Sequence, residues 1–538
     1  MRTIEIEGGL AHAPQLQQAG VRLLKVVPDD LATPEQIAHG RARLDALAER
    51  LARVRPTGQR VHDSGTRRRT QAEELILIAT GEGVTLYRSP DGTSYADIMV
   101  AGHRETWRTR SREFRQWLQR AYYMRTGGAA RPEALSTAMG IIEAHCQFDG
   151  VVHPVYLRVA AEDERIYIDL GDTSWRAIEV DREGWRLVGT PPVRFRRAAH
   201  MCPLPVPIMG GTIDELRRHL NLSDQTFVLV VGWLLSALRG RGPYPILALN
   251  GEQGAGKSTT AVMLRQLVDP STAPLRSAPR DLRDLAVTAF SSFVLAFDNL
   301  SGLSADLADA ICRLSTGGGF STRALYTDDE ERVFEGRRPV MTTSITDVAT
   351  RSDLADRSIA VTLEAIDDVR RRTDKDVHGA FERAAPAILG ALLDAVSEGL
   401  RGEGAVQLSR LPRMADHAVW VQACEPRLWE VGRHLSLYER NRGEAAEIVL
   451  EADPVAMALR SHMETRGEIA TTSTELLAQL AAATAEHVRR GRDWPPNARA
   501  LAGRLRRLAP ALRRIGLGIT FEREAMTGRR IIRVAPLP

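Results

Sequence analysis

Apolar residues recur at helical or strand spacing over successive stretches of the chain, and these stretches predict its elements. Leu44, Leu47 and Leu51 share one helical face and predict a helix over residues 33–55, followed by a basic linker at 57–70. Apolar runs of strand length come next, with two helical patterns among them. The strands predicted here are Val84–Tyr87, Tyr95–Val100, Val155–Val159, Ile166–Leu170, Trp175–Glu179 and Trp185–Val188, and the helices are Arg110–Met124 and Glu133–Cys146.

From about Thr212 the pattern changes to helices that alternate with short apolar strands. Such alternation predicts a parallel sheet. The apolar run Phe227–Leu238 is too short to span a bilayer and predicts a buried helix, and Ala380–Gly399 and Arg413–Ala423 predict amphipathic helices. The strands predicted in this region are Ile246–Asn250, Pro274–Arg276, Phe293–Phe297, Val340–Thr343 and Ile359–Leu363.

The last 90 or so residues predict a separate unit of helices and one hairpin. Thr472 followed three residues later by Glu475 has the form of a capping box. Helices followed by a basic helix and a basic hairpin are typical of a winged helix, a DNA-binding fold. The helices predicted are Asp453–Met463, Ser473–Val488 and Asn497–Ile515, and the hairpin strands are Gly518–Glu522 and Arg529–Val534.

Composition adds few constraints. At 538 residues the chain is too long for one core, and 43% apolar and 26% charged residues are ordinary for a soluble protein. The four cysteines are scattered, which favours neither a disulfide framework nor a zinc site. We find no signal region and no membrane segment, and expect a cytoplasmic protein.

Charge is distributed unevenly along the chain. The net charge is only +4, yet the segment Arg489–Arg533 carries 13 arginines and 3 acidic residues. This imbalance indicates a polyanion partner, and we expect DNA. The alternative is a solvated face on which arginine replaces lysine, since the chain has only three lysines. The candidate DNA contacts of this segment are Arg504, Arg507, Arg529 and Arg530.

One short segment carries the strongest chemical signal. The strand predicted at Ile246–Asn250 leads directly into Gly251-Glu-Gln-Gly-Ala-Gly-Lys-Ser258, which matches GxxxxGK[ST] in a strand–loop–helix context. Backbone N–H groups of such a loop wrap a phosphate, and the helix that follows adds its positive N-terminus. Lys257 is expected to reach the β- and γ-phosphates of ATP, and Ser258 to bind Mg²⁺. The predicted nucleotide-binding residues are Gly251, Gly254, Ala255, Gly256, Lys257, Ser258 and Thr259.

Two further strands end in polar residues that suit the same site. Asp298 closes an apolar strand in the form of a Walker B segment and is predicted to hold the Mg²⁺ water shell. Asn299 follows it where many such ATPases carry an acid, and an amide cannot accept a proton from the attacking water. On the strand after it, Thr343 is predicted to contact the γ-phosphate or position water, with Ser344 as the alternative.

Arg357 precedes the last strand of the predicted sheet. An arginine in this place can face the γ-phosphate of a neighbouring subunit and stabilise charge in the transition state. The alternative is a surface ion pair between Asp356 and Arg357.

Together these segments resemble the AAA+ class of P-loop ATPases, and most of all the compact ATPase module of phage and mobile-element primase-helicases related to superfamily 3 helicases. The 41 residues from Lys257 to Asp298 and the run Gly317–Asp329 fit that module. The resemblance implies an α/β fold and a hexameric ring with ATP sites between subunits. It also implies a hairpin over roughly 323–338 that reaches into the ring's pore. The candidate DNA contacts of this hairpin are Arg323, Arg332, Arg337 and Arg338, and the alternative is a solvated charged loop.

The expected organisation is an AAA+ P-loop core flanked by other units. The expected units are a helical arm and linker (1–72), an α+β domain (73–210), the ATPase core (211–366), a helical segment (367–450) and a basic winged helix (451–538). The N-terminal region is expected to bind a template, a further copy or a replication or defence partner.

We therefore expect an ATP-dependent DNA-binding ATPase, a helicase or translocase of phage or mobile-element replication. The alternative is a nucleotide-controlled switch, a loader, or an anti-phage defence or regulatory ATPase with weak hydrolysis. Asn299 favours the alternative, whereas the hairpin and Arg357 favour the motor.

Overall fold

The structure is a computed structural model. It describes residues 69–300, 302–318, 320–323, 331–334, 336–344, 352–367, 369, 371–524 and 528–537. The helix predicted over 33–55 and nearly all of the linker at 57–70 lie outside these residues.

Three helices and four strands form the first described region. Their bounds are α1 (Gln71–Ala79), β1 (Val84–Arg88), β2 (Ser94–Val100), β3 (His103–Arg108), α2 (Arg112–Thr126), α3 (Pro132–Phe148) and β4 (Val151–Val152). The strand order is β3–β2–β1–β4, with the first three antiparallel and β4 parallel to β1. Phe114 and Leu118 of α2 share a hydrophobic cluster with Ala96 and Ile98 of β2, so the helix covers the sheet.

A second sheet follows at once. Its region contains β5 (Val155–Tyr156), β6 (Val159–Glu162), β7 (Arg165–Asp169), β8 (Ala177–Asp181), β9 (Gly184–Val188) and β10 (Arg194–Phe195). Strands β6 to β9 form an antiparallel meander. Trp175 has φ 52 and still belongs to a turn, which is why β8 begins two residues after the predicted start.

The region that the sequence predicted to alternate between helices and short strands contains a parallel sheet. Its elements are α4 (Ile213–Arg217), α5 (Asp224–Leu238), β11 (Ile246–Gly251), α6 (Lys257–Gln266), α7 (Leu282–Ser291), β12 (Leu295–Phe297), α8 (Ala305–Thr316), β13 (Phe320–Arg323), β14 (Glu331–Phe334), β15 (Val340–Ser344), α9 (Ser352–Ala355) and β16 (Ser358–Leu363). The order β12–β15–β11–β16 is parallel throughout, so the carboxyl ends of these strands share one edge. The predicted buried helix is confirmed, since every residue of α5 from Phe227 onward is buried.

Two predicted strand bounds in this sheet are wrong. Of the strand predicted at Pro274–Arg276, only Arg276 pairs with the sheet, through an isolated parallel bridge to Phe297. The amides of Phe293 and Val294 donate to Asp269 Oδ2 at 3.1 and 3.0 Å, so β12 begins only at Leu295. Backbone groups bonded to a side chain are not available to a neighbouring strand.

Helices dominate the rest of the chain. They and the last strands are α10 (Asp374–Gly402), α11 (Ala415–Cys424), α12 (Arg433–Glu451), α13 (Pro454–Arg466), β17 (Ile469–Thr472), α14 (Ser473–Ala483), α15 (Glu486–Arg489), α16 (Ala498–Arg514), β18 (Leu517–Arg523) and β19 (Arg530–Pro536). The capping box at Thr472 and Glu475 is confirmed. The single helix predicted at Ser473–Val488 is wrong, because Thr484 is extended and divides it into α14 and α15. The predicted hairpin gains an unpredicted third strand, in the order β17–β19–β18.

Hydrophobic clusters join these regions. Ile168 and Ile178 of the meander lie in the same cluster as Phe227 of α5 and Leu389 of α10. A second cluster combines residues of the C-terminal unit with Ala355 of α9 and Val449 of α12. Within the described part of the chain, no helix combines the length and apolar character needed to cross a bilayer.

Candidate nucleotide-binding site

The carboxyl ends of β11, β12 and β15 open into a cavity of about 730 Å³. Two of the predicted loop residues do not line it, because Gly251 ends β11 and Ala255 is buried in the hydrophobic core. The predicted site residues that line the cavity are Gly254, Gly256, Lys257, Ser258, Thr259, Asp298 and Thr343.

The loop conformation depends on glycine. Gly254 and Gly256 have φ of 85 and 83, a region in which glycine has no steric cost. Gly256 is the N-cap of α6, so the helix points its first N–H groups and its positive end at the cavity. An anion is the species that such a helix end attracts.

Lys257 is the first residue of α6, and its ammonium bends back over the loop. Its Nζ donates to the carbonyl oxygens of Gly251 and Glu252 at 2.8 and 2.7 Å. The positive charge is therefore held beside the helix N-terminus, in the place where a triphosphate would bring negative charge.

Three side chains from three elements meet at one carboxylate oxygen. Ser258 Oγ donates to Asp298 Oδ1 at 2.9 Å, and Thr343 Oγ1 donates to the same oxygen at 2.5 Å. The parallel order of β11, β15 and β12 places these residues at one edge of the sheet. The sequence predicted all three residues for this site, and the structure brings them together.

Asn299 lines the cavity beside Asp298 and adopts φ 51, a left-handed conformation that asparagine tolerates better than most residues. Its backbone N–H donates to Thr343 Oγ1 at 2.9 Å. The carboxylates that line the cavity, among the described residues, are Asp298 and Asp374.

The donor set fits a hard divalent cation. Mg²⁺ prefers oxygen ligands and is typically held by one or two protein groups together with water and phosphate oxygens. Ser258 Oγ and Asp298 Oδ1, 2.9 Å apart beside the loop, are such oxygens. They are the residues that would hold the ion.

The cavity is also lined by residues that the sequence did not predict. Arg371 lies over the loop, since a Cβ placed on Gly254 would lie 3.3 Å from Arg371 Nη2. Asn221 Nδ2 donates to the Glu364 carbonyl at 2.7 Å. Arg218 and Arg372 also line the cavity. The adjacent arginines at 371 and 372 were visible in the sequence, but their spacing does not show that they face a loop more than a hundred residues earlier.

Arg357 lies at the other end of the sheet. In the parallel pairing of β11 and β16, Ile246 is opposite Ser358 and Gly251 is opposite Leu363. Arg357 therefore precedes the strand end that faces away from the phosphate loop, and it does not line the cavity. Asp356 bonds Arg413, Arg442 and Arg514, and the role of Arg357 stays a prediction.

The hairpin predicted over 323–338 corresponds in part to β13 and β14, which pair antiparallel. The side chains of Arg323 and Arg332 lie outside the described residues. Arg337 Nη1 donates to the Gly242 carbonyl at 2.6 Å, and Arg338 Nε donates to the Ala289 carbonyl at 3.0 Å. Burial lowers the pKa of Arg338 to about 10. DNA contact by these residues stays a prediction.

The four C-terminal candidates differ in their surroundings. Arg507, Arg529 and Arg530 are exposed. Arg504 instead donates from Nε to Asp453 Oδ2 at 2.7 Å, and its side chain is partly buried. Their role in DNA binding also stays a prediction.

Two segments of the chain match models of known protein families. Residues 213–425 match the model described as the actinomycete integrative conjugative element replication protein, and residues 455–537 match the AICE RepA C-terminal domain. Both matched segments are similar to the RepA replication protein of these mobile elements. The first RepA-like segment contains the cavity residues from Arg218 to Val377, and the second contains Arg504, Arg507, Arg529 and Arg530.

Solved structures give weaker likenesses. The apo A form of the NrS-1 C-terminal region is 9% identical with a TM-score of 0.40, covering 87% of this chain and 100% of that one. The JCV helicase is 14% identical with a TM-score of 0.23, covering 40% of this chain and 59% of that one. No curated protein matches the chain.

Proposed function

We propose that this protein is a DNA-binding ATPase of the AAA+ class that acts, as a ring of identical subunits, in the replication of a mobile element. The observation that carries the proposal is the convergence of Lys257, Ser258, Asp298 and Thr343 on one cavity at the edge of a parallel sheet. The RepA-like segments support the replication role, and the basic helix α16 followed by the hairpin of β18 and β19 suits a winged helix.

The roles follow from the positions. Backbone N–H groups of the loop and the Lys257 ammonium bind the triphosphate, and Ser258 and Asp298 hold Mg²⁺. Bound there, Mg²⁺ would neutralise negative charge on the β- and γ-phosphates. Thr343, held between Asp298 and the Asn299 N–H, orients the attacking water near the γ-phosphate. Arg357 of a neighbouring copy stabilises the charge that develops there.

A nucleotide-controlled switch is the second candidate, and Asn299 favours it. A switch needs tight binding and slow turnover, and an amide next to Asp298 cannot act as a base. Asp374 also lines the cavity, as do Arg371 and Arg372 of the same segment. Binding and turnover must therefore be measured separately.

The binding test compares Lys257→Ala with Lys375→Ala, which removes the same charge from an exposed position next to Asp374. With a fluorescent ATP analogue, we expect Lys257→Ala to weaken binding by about 100-fold, as for loss of charge-assisted hydrogen bonds to phosphate. Lys375→Ala should stay within about twofold. Equal affinities for the two variants would contradict the proposed phosphate loop.

Turnover is then measured with single-stranded and duplex DNA. Faster ATP hydrolysis on either DNA supports the motor. Tight ATP binding by the wild type with no turnover on any DNA would overturn the motor proposal in favour of the switch.

A further inference from the structure

Asp356 is a junction between three segments that lie well apart in the sequence. Its Oδ1 accepts from Arg442 Nη2 at 2.6 Å and from Arg514 Nη2 at 3.0 Å, and its Oδ2 accepts from Arg413 Nη1 at 2.7 Å. Arg413 lies just before α11, Arg442 is in α12 and Arg514 is the last residue of α16. One carboxylate thus links the edge of the parallel sheet to the basic helix of the C-terminal unit.

This junction is sheltered from solvent. The Asp356 side chain is 12% exposed and Arg442 is 4% exposed. Burial alone would raise the pKa of Asp356, but the hydrogen bond and charge of Arg442, with the charges of Arg413 and Arg514, lower it instead. A carboxylate held ionised among three guanidiniums is a strong constraint on local geometry.

The constraint acts on the residue next in sequence, which is Arg357. Asp356 and Arg357 form a turn in which the Arg357 N–H donates to the Leu354 carbonyl at 3.0 Å. The Arg357 carbonyl accepts from the Ile246 N–H at 2.9 Å, and Ile246 is the first residue of the strand that leads to the phosphate loop. Movement of Asp356 would therefore displace both Arg357 and the start of β11.

Packing on the other side of the turn belongs to the C-terminal unit. Ala355, directly before Asp356, lies in the hydrophobic cluster of that unit together with Leu508 and Leu512 of α16. Helix α12 reinforces the link, because the Asn441 amide bonds both the N–H and the carbonyl of Ala360 on the outer edge of β16 at 3.0 and 2.7 Å. The turn that carries Arg357 is thus held from two sides by helices outside the sheet.

A ligand can reach two members of the junction, Arg413 and Arg514, whose side chains are 42% and 28% exposed. Arg442 is only 4% exposed, and Arg514 is the one of the three arginines that ends the basic helix α16. A DNA phosphate and the Asp356 carboxylate are both anions that a guanidinium binds in the same way, so they compete for Arg514. Arg442 and Arg413 would keep Asp356 paired after Arg514 had exchanged partners.

We propose that Asp356 is a positioning residue that couples DNA binding by α16 to the placement of Arg357, and through it to ATP hydrolysis at the site of a neighbouring copy. This inference rests on the proposed ATPase function. DNA that draws Arg514 away from Asp356 shifts the turn at 356–357 and changes turnover. The contact between Asp356 and Arg514 joins the parallel sheet to the C-terminal unit. It therefore provides the physical link that coupling between two distinct sites requires.

The test uses Arg514→Gln, with Arg513→Gln as a matched control that removes the same charge from the exposed neighbouring residue. The quantity is the ratio of turnover at saturating DNA to turnover without DNA. We expect Arg514→Gln to reduce this ratio by about tenfold, within the usual range of allosteric coupling. Arg513→Gln should keep the wild-type ratio, and Arg514→Lys should restore much of it because it retains the charge. If Arg514 only added DNA affinity, Arg514→Gln would raise the DNA concentration needed for saturation and leave the turnover ratio at saturating DNA unchanged.

Equal ratios for the two glutamine variants at saturating DNA would overturn the coupling while leaving the ATPase proposal intact. If the wild type does not hydrolyse ATP, the proposed ATPase function is refuted. The coupling is then measured by amide hydrogen exchange. DNA should then change exchange at residues 354–360 in the wild type and in Arg513→Gln but not in Arg514→Gln. No change in the wild type would refute the coupling.

Discussion

At the residue scale, three aromatic side chains form a fully buried polar cluster between α11, α12 and α5. The ring centroids of His417 and His434 are 4.9 Å apart, and those of His434 and Tyr438 are 5.7 Å apart. His417 Nδ1 shares a hydrogen bond of 2.6 Å with Ser236 Oγ, whereas both ring nitrogens of His434 lack partners among the described residues. Burial lowers the pKa of His434 to about 3 and that of His417 well below its usual value.

These depressed pKa values predict a loss of stability in acid. Between pH 6.5 and pH 3 the unfolded chain protonates His434 and the folded chain does not, so the free energy of unfolding falls as the pH falls. From pH 7.5 to pH 5 this amounts to roughly 2 kcal/mol for that one group. Urea unfolding should show a shallower pH dependence for His434→Gln than for the wild type.

The exposed His487 provides the control for this comparison. His487→Gln should follow the wild-type pH dependence. A His434→Gln variant that loses stability in acid as steeply as the wild type would show that His434 is not buried in its neutral form.

At the scale of elements, α16 performs two different tasks with residues one turn apart. Its buried face, with Leu501, Leu505, Leu508 and Leu512, packs into the C-terminal core, as its spacing predicts. Arg504 bonds Asp453, and Asp453 Oδ1 in turn caps α13 by accepting from the Val455 N–H at 2.9 Å. Arg507 is exposed on the outer face. The arginines of this helix are thus not equivalent.

This difference predicts opposite outcomes for two matched variants. Arg507→Ala should weaken DNA binding and reduce the salt dependence of log K by about one unit, with little effect on stability. Arg504→Ala should lower the free energy of unfolding by about 1 kcal/mol, because it removes a partly buried partner of a helix cap. DNA titrations at several salt concentrations, together with urea unfolding, measure both quantities. Equal losses of DNA affinity in the two variants would contradict the assignment of Arg504 to structure.

At the scale of the whole molecule, the phosphate loop and Arg357 lie at opposite ends of the same pair of strands. Five residue steps along β11 join Ile246 to Gly251, which is roughly 17 Å of extended chain. Such a span exceeds the reach of an arginine side chain, so Arg357 cannot serve the loop of its own copy in this fold. In the proposed ring of identical subunits, Arg357 of each copy instead acts at the phosphate loop of its neighbour.

Shared sites predict complementation between two inactive variants. Lys257→Ala keeps Arg357 but loses the phosphate loop, and Arg357→Ala does the reverse. Co-assembled in equal amounts, they should recover about a quarter of wild-type turnover, because one interface in four joins two intact halves. Each variant alone is the control, and a mixture as inactive as both would contradict the shared site.

The sequence by itself predicted the local features of the molecule. Strand, glycine loop and helix at 246–266 were visible because their signals lie within a few residues of one another, and the same holds for the capping box at Thr472 and the buried helix α5. The parallel sheet also followed from alternation alone. These features depend on period and on backbone preference, which a short window of sequence contains.

Only the tertiary structure decided what distant residues do together. The arginines that meet Asp356 come from positions 413, 442 and 514, and Arg371 covers a loop that begins at Gly251. Neither arrangement has a sequence signal, because an exposed arginine and one that holds a buried carboxylate share the same helical spacing. Packing of α12 against β16 and of α16 against α9 brings these residues together, and partial burial of Asp356 strengthens its ion pairs.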